Sequence, residues 1–367
     1  MAMTAHEAAT GLPLPGRLGN PDLDLRSDPR SDPRMVAALA PFGLDVNGVA
    51  LPFDGRAPMD ALLAFCVEGE RNFEAVFDAM FTGLPAIAGL SHSSEIIAGE
   101  DGNEIQLYIV RPENSGSPLP CILHIHGGGM AILRGSGPAY RRARDELAAT
   151  GLVVVGVEFR NAAGALGNHP FPAGLSDCAV ALDWVDANRR TLGVSKVIVA
   201  GESGGANLSL ATTLKAKREG RLATIDGVYA MVPYISGIYG SPVAERMREL
   251  PSLIENDGYL ISCALMDILA SVYDPGATNS RNPLCWPIYA SMDELAGLPP
   301  HVISVNELDP LRDEGFAYHR KLIRAGVPST GRMMLGLCHA GDLICRAAIP
   351  DAFASTIRDI HGFATSL

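Results

Sequence analysis

The sequence predicts an α/β protein with a mostly parallel, doubly wound sheet, and three observations carry that expectation. From about residue 119, short apolar segments rich in β-branched residues alternate with longer segments of helical periodicity. A hairpin signal, Asp101-Gly102, stands between the apolar runs 95–97 and 105–110, ahead of that alternation. The pentapeptide Gly201-Glu202-Ser203-Gly204-Gly205 then joins one such strand to one such helix through a sharp turn that only small residues leave room for. Successive strand–helix–strand units bring right-handed crossovers and parallel strands, which leaves the hairpin at one antiparallel edge.

Taken in order, the first 34 residues are rich in Pro, Asp and Arg and repeat Arg26-Ser27-Asp28-Pro29 as Arg30-Ser31-Asp32-Pro33. They read as an irregular arm along the surface. Apolar residues Leu62, Leu63, Phe65, Cys66, Phe73, Val76, Phe77 and Met80 make 59–81 an amphipathic helix whose apolar face needs a cover. Strand 121–126, helix 136–150, strand 152–159, helix 174–192, strand 196–200, helix 205–219 and strand 228–233 follow. The rhythm breaks over 236–296, an insertion with helical content at 253–272 and Pro-rich joints. It resumes with strand 301–305, helix 313–325, strand 331–337 and a last helix after Pro350. The boundaries expected are therefore arm and cap helices over 1–92, sheet core over 93–236, cap insertion over 237–295, and the second part of the core over 296–367. Both additions carry apolar faces without partners in the core pattern. They are expected to pack together over the carboxyl edge of the sheet, where open α/β sheets take ligands.

Composition excludes several function classes. The chain is 47% hydrophobic and 19% charged, yet nothing approaches the roughly 18 uninterrupted apolar residues of a membrane span, so no membrane partner is expected. A formal net charge of −12 without any basic run argues against nucleic acid. The seven cysteines (66, 121, 178, 263, 285, 338 and 345) include no C-x-x-C and read as free buried thiols in a reducing compartment. The first 20 residues lack the charged and apolar regions of a secretory signal, so a cytoplasmic location is expected.

The chemistry concentrates at a few positions. A serine on a strand-to-helix turn between near-glycines has the geometry of a nucleophile elbow, with the following helix directing its N-terminal amides at the serine oxygen. A hydroxyl is a weak nucleophile and needs a base held by a third group. His339 follows an apolar strand between small residues, and Asp309 occupies the equivalent place one strand earlier. The order Ser203, Asp309, His339 puts all three at strand carboxyl ends. Glu307 and Asp313 compete for the acid's role; Pro310 fixes the loop after Asp309, while Glu307 alternates with the strand's apolar positions. His124 and His126 share a strand face, but no third ligand follows, so no metal is expected. The run Gly127-Gly128-Gly129 instead offers backbone amides: those of Gly128 and Gly129, with Gly204, suit a developing oxyanion. No Gly-Lys-Ser/Thr follows to make it a phosphate loop, and 201–205 lacks the G-x-G-x-x-G of a nicotinamide site. Trp184, Cys178 and Cys338 read as core.

At these residues the chain resembles the hormone-sensitive-lipase-like family of serine esterases. The resemblance covers 119 to about 362 through His126-Gly127-Gly128-Gly129, Phe159-Arg160, His169-Pro170-Phe171-Pro172-Ala173, Gly201-Glu202-Ser203-Gly204-Gly205 and Asp309-Pro310-Leu311-Arg312-Asp313-Glu314-Gly315. Pro15-Gly16-Arg17-Leu18-Gly19 and the paired Asp-Pro-Arg segments extend it nearly end to end, toward a lactone-opening bacterial member. It implies an α/β-hydrolase fold with a helical cap, a Ser203–His339–Asp309 triad, an oxyanion hole at Gly128, Gly129 and Gly204, and a His126 that shapes the glycine loop. No cofactor is implied. Two departures stand out: Gly204 where the family often has Ala, and Ala340-Gly341 where it has a glycine–aromatic pair. The expected activity is a serine carboxylesterase acting on small to medium esters or lactones through an acyl-enzyme. A non-catalytic receptor on the same fold, or an amidase or acyltransferase with the same triad, are the alternatives. A homodimer through the last strand stays open.

Overall fold

β-branched runs build one sheet in the computed structural model, which describes residues 14–48, 50–116 and 118–367. Its strands are β1 (Leu90–Ala98), β2 (Glu104–Pro112), β3 (Leu119–Ile125), β4 (Val153–Glu158), β5 (Val194–Glu202), β6 (Gly227–Met231), β7 (His301–Asn306) and β8 (Ser329–Met334). They lie in the order β1-β2-β4-β3-β5-β6-β7-β8. β2 pairs antiparallel with β1 and β4, and the remaining pairings are parallel. The principal helices are α1 (Pro33–Leu39), α2 (Met59–Phe81), α3 (Pro138–Ala149), α4 (Ala173–Ala187), α5 (Gly204–Arg218), α6 (Cys263–Tyr273), α7 (Arg312–Arg324) and α8 (Pro350–Ser366).

The period of two along each strand sorts the core into two layers. Leu123, Val197 and Val199 pack with Leu182 of α4, Leu208 of α5 and Tyr318 of α7. Ile122, Ile198 and Ala200 face the other way, onto Leu147 of α3 and Ile357 of α8. This double coverage lets the central strands be apolar on both faces, and it leaves their carboxyl ends as the open edge. Over that edge meet α2 and the insertion. Gly55, ahead of α2, donates its N–H to Asp267 of α6 at 2.9 Å.

Several expectations need correction. The segment from 14 to 34 runs irregularly along the surface as expected, but it is anchored there: Leu25 and Asp28 are buried, and Arg30 bridges Asp28 and Glu255 of the insertion. The first 13 residues of that expected arm lie outside the described residues. The helical stretch expected at 253–272 is broken into Ser252–Glu255 and α6. Gly258 and Leu260 between them take positive φ, 87° and 69°. The break frees the Asn256 side chain to donate to the carbonyls of Glu307 and Asp309 at 3.1 Å each. The last strand begins at Ser329 and ends at Met334, so Leu335 to Leu337 belong to the loop that follows. All seven cysteines are free and buried. Among the described residues no helix is long and apolar enough to cross a membrane.

Candidate active site

Ser203 caps α5 directly after β5, with φ 57° and ψ −118°. For a residue with a Cβ this conformation costs about 1–3 kcal/mol and persists only where the surroundings over-determine it. They do: Ser203 N–H donates to Met231 carbonyl at 2.9 Å, and its carbonyl accepts from Asn207 at 3.1 Å and Tyr234 at 3.3 Å. The turn also brings Gly201 and Gly205 against the Ile125 carbonyl, where neither has room for a side chain.

His339 stands in the loop after β8, and its Nδ1 lies 2.8 Å from Asp309 Oδ2. Asp309 is fully buried, and its Oδ1 accepts the Leu311 N–H at 2.8 Å. A carboxylate at Nδ1 places the imidazole proton there and leaves Nε2 as the basic nitrogen. The competing acids point elsewhere. Glu307 Oε2 accepts the Gly336 N–H at 2.8 Å, while Asp313 accepts from Ser252 at 2.7 Å and pairs with Arg312. Ser203 and His339 line one cavity; among the described residues their side chains make no direct hydrogen bond with each other. Such contacts commonly tighten only when substrate is bound.

Across the cavity runs the glycine loop. Gly128 and Gly129 take φ of 106° and 63°, values that L side chains rarely adopt. Among the described residues neither amide meets an acceptor. Gly204, the first residue of α5, likewise has no partner within the helix for its N–H. His126 Nδ1 donates to the Gly127 carbonyl at 2.8 Å, and its ring stacks on Phe159 at 4.3 Å. Burial pushes its pKa down, which favours the neutral imidazole beside the loop.

Two carboxylates that sequence reasoning passed over hold this loop by its backbone. Glu202 Oε1 accepts the Gly127 N–H at 2.8 Å, and its Oε2 lies 3.1 Å from His124 Nε2. Glu158 accepts from Gly135 at 2.6 Å and Ser136 at 3.1 Å. The available signal was a carboxylate closing the apolar run of a strand, Val153–Val157 in β4 and Val197–Gly201 in β5. His124 is thus spoken for by Glu202, and among the described residues no cluster of three His, Cys, Asp or Glu side chains is arranged to hold a metal.

The cavity measures about 130 Å³ and is walled by Phe73 and Phe77 of α2 and Leu265 and Leu269 of α6. Its carboxylate and imidazole lining groups are Glu202, His124 and His339. Chemically, this is a strained hydroxyl, an imidazole oriented by a buried carboxylate, and free amides, enclosed by apolar walls.

Comparison with known proteins gives the family of the chain. Residues 122–342 match the family model described as the alpha/beta hydrolase fold. A solved structure of brefeldin A esterase, a bacterial homologue of human hormone-sensitive lipase, superposes with a TM-score of 0.94 at 50% identity, covering 96% of this chain and 98% of that one. Esterase Est22 superposes with a TM-score of 0.80 at 36% identity, over 94% of this chain and 99% of that one. Carboxylesterase NlhH of Mycobacterium tuberculosis (strain ATCC 25618 / H37Rv) is 32% identical over 238 residues, 64% of this chain and 70% of that protein.

Proposed function

The chain belongs to the α/β-hydrolase family, among its carboxylesterases, and on that premise we propose that Ser203, His339 and Asp309 carry ester hydrolysis in this cavity. His339 Nε2 takes the Ser203 proton as the oxygen attacks the ester carbonyl. The tetrahedral oxyanion rests on the amides of Gly128, Gly129 and Gly204. His339 returns the proton to the leaving alcohol, and water then hydrolyses the acyl-enzyme by the same steps. Asp309 orients the imidazole and stabilises its charged form.

The observation that supports this most is convergence. Ser203 in its strained conformation, His339 held 2.8 Å from Asp309, and two amides without acceptors among the described residues border one space. Apolar walls with few charges suit a neutral substrate, so small to medium esters, ring esters included, are the proposed class. The described residues ahead of β1, α2 above all, and the insertion 237–295 serve as the cap over this space. Seven buried free thiols support a cytoplasmic setting, and the outward-facing edge strand β8 supports a homodimer.

The deciding experiment compares wild type with Ser203→Ala on nitrophenyl esters of increasing acyl length. Removing the nucleophile should lower kcat by about 10³-fold or more. Equal turnover by the two proteins would sink the mechanism.

A further inference from the structure

α2 of the cap carries a buried carboxylate that the reaction described above does not use. Glu70 is 2% exposed. Its Oε1 accepts the Leu133 N–H at 2.7 Å, and its Oε2 accepts the Ala165 N–H at 2.6 Å. Leu133 ends the turn that begins at Gly128, whose carbonyl accepts from Ala131 at 3.1 Å and Ile132 at 3.0 Å. Ala165 belongs to the loop after β4, and that loop holds the same turn from the other side. Asn161 donates to the Leu133 carbonyl at 2.6 Å, and Ala162 and Ala163 donate to Met130 and Ala131 at 2.9 Å each. Gly164 has φ +68°, and a methyl group there would come within 2.8 Å of both Glu70 oxygens. The loop passes as close to the carboxylate as glycine permits.

Two loops and a cap helix therefore meet at one side chain. Glu202 and Glu158 hold the glycine segment from the sheet, whereas Glu70 holds it from the cap. Phe73 and Phe77, three and seven positions further along the same helix, wall the cavity. α2 thus touches both the substrate space and the backbone that presents the Gly128 and Gly129 amides.

We propose that Glu70 is a positioning residue for the oxyanion-binding amides, coupling the packing of the ester against α2 to the placement of the glycine loop. This rests on the Ser203 reading, because amide placement matters to rate only where an oxyanion forms. A displacement of such donors by about 1 Å costs on the order of 10²-fold in rate. A carboxylate that served only to dock the cap would instead affect substrate affinity and melting.

The test uses the full chain as wild type, Glu70→Ala, Glu70→Gln and Glu74→Gln. Glu74, one turn along, pairs with Arg134 at the partly exposed surface and serves as the control. Four quantities are read: kcat and KM for 4-nitrophenyl butyrate, the Ki of butylboronic acid (which forms a tetrahedral anion on Ser203), and the melting temperature. Expected for Glu70→Ala is a kcat lowered about 10–100-fold with KM within about threefold. Boronate binding should weaken by a similar factor. Glu70→Gln, which keeps one acceptor oxygen, should recover part of both losses, and Glu74→Gln should stay within about twofold of wild type. A folded Glu70→Ala with unchanged kcat, or with a raised KM alone, overturns the proposal. If Glu70→Ala does not fold, Glu70→Gln decides, and a kcat and boronate Ki within twofold of wild type overturns it. Wild-type turnover by Ser203→Ala is a separate outcome that removes the reading beneath it.

Discussion

A methyl group on Gly204 would lie 2.7 Å from the amide nitrogen of Gly129 and 2.5 Å from that of Met130. The elbow and the glycine loop are in backbone contact there. The alanine frequent at this position in the resembling family would have no room, because the loop occupies the space its Cβ needs. The glycine after Ser203 and the placement of the opposing amides are therefore one feature.

Gly204→Ala tests that relation. Helix propensity alone favours Ala by about 1 kcal/mol, so the fold should survive. The loop must retreat, however, because the atoms it meets are backbone. Steady-state kinetics should show kcat lowered about 10–100-fold beside a melting temperature close to wild type. A kcat within twofold of wild type would mean that the loop yields without moving its donors.

The choice of acid is separable by amides. Asp309→Asn keeps the volume but sets an NH₂ group or a neutral oxygen against His339 Nδ1, which removes the preference for the basic Nε2. The expected loss in kcat is about 10³–10⁴-fold. Glu307→Gln retains an acceptor for the Gly336 N–H and should change kcat less than about threefold. The opposite ranking would move the acid's role to Glu307.

Beside His339, Ala340 takes φ 52°, in the left-handed region. An L residue there costs about 1–2 kcal/mol, against about 0.5–1 kcal/mol of extra chain entropy lost by glycine. Ala340→Gly should therefore stabilise slightly, raising the melting temperature by about 1–2 °C in a thermal melt. A lowered melting temperature would show that the Ala340 methyl, buried against the second core layer, contributes more than its backbone strain costs.

Local chemistry made most of the site legible. A strand, a glycine turn and a helix are written in adjacent residues, so Ser203 announces itself, and the loops after β7 and β8 follow from strand order. The supports of the site were not legible in the same way. Glu70 reaches amides 63 and 95 positions away, and a backbone N–H leaves no mark in a sequence. Arg30 finds Glu255 across 225 positions, which is how the Pro- and Asp-rich arm is anchored to the insertion. The break in 253–272 was legible but outweighed by the apolar residues around it: Glu255-Asn256-Asp257-Gly258 carries the Asp-Gly turn signal also seen at 101–102, and Ser262 is the N-cap of α6.

Glu314, in the first turn of α7, joins fold stability to pH. It is fully buried; Oε1 accepts from Ile235 N–H and Tyr239 OH at 2.9 Å each, and Oε2 has no partner among the described residues. Burial pushes its pKa up to about 8, outweighing the hydrogen-bond donors around it that favour the anion. The folded protein therefore keeps the acid neutral at pH 7, while the unfolded chain ionises it near 4.5. The stability this contributes is fully present below about pH 4.5 and is lost as pH rises through about 8. At about 1.4 kcal/mol per pH unit, the whole interval is worth on the order of 5 kcal/mol. Glu314→Gln imitates the neutral acid and cannot titrate. Urea midpoints at pH 5, 7 and 9 should fall for wild type relative to the variant, with most of the divergence complete by pH 9. Parallel curves for the two proteins would mean that Glu314 ionises in the fold as readily as in the unfolded chain.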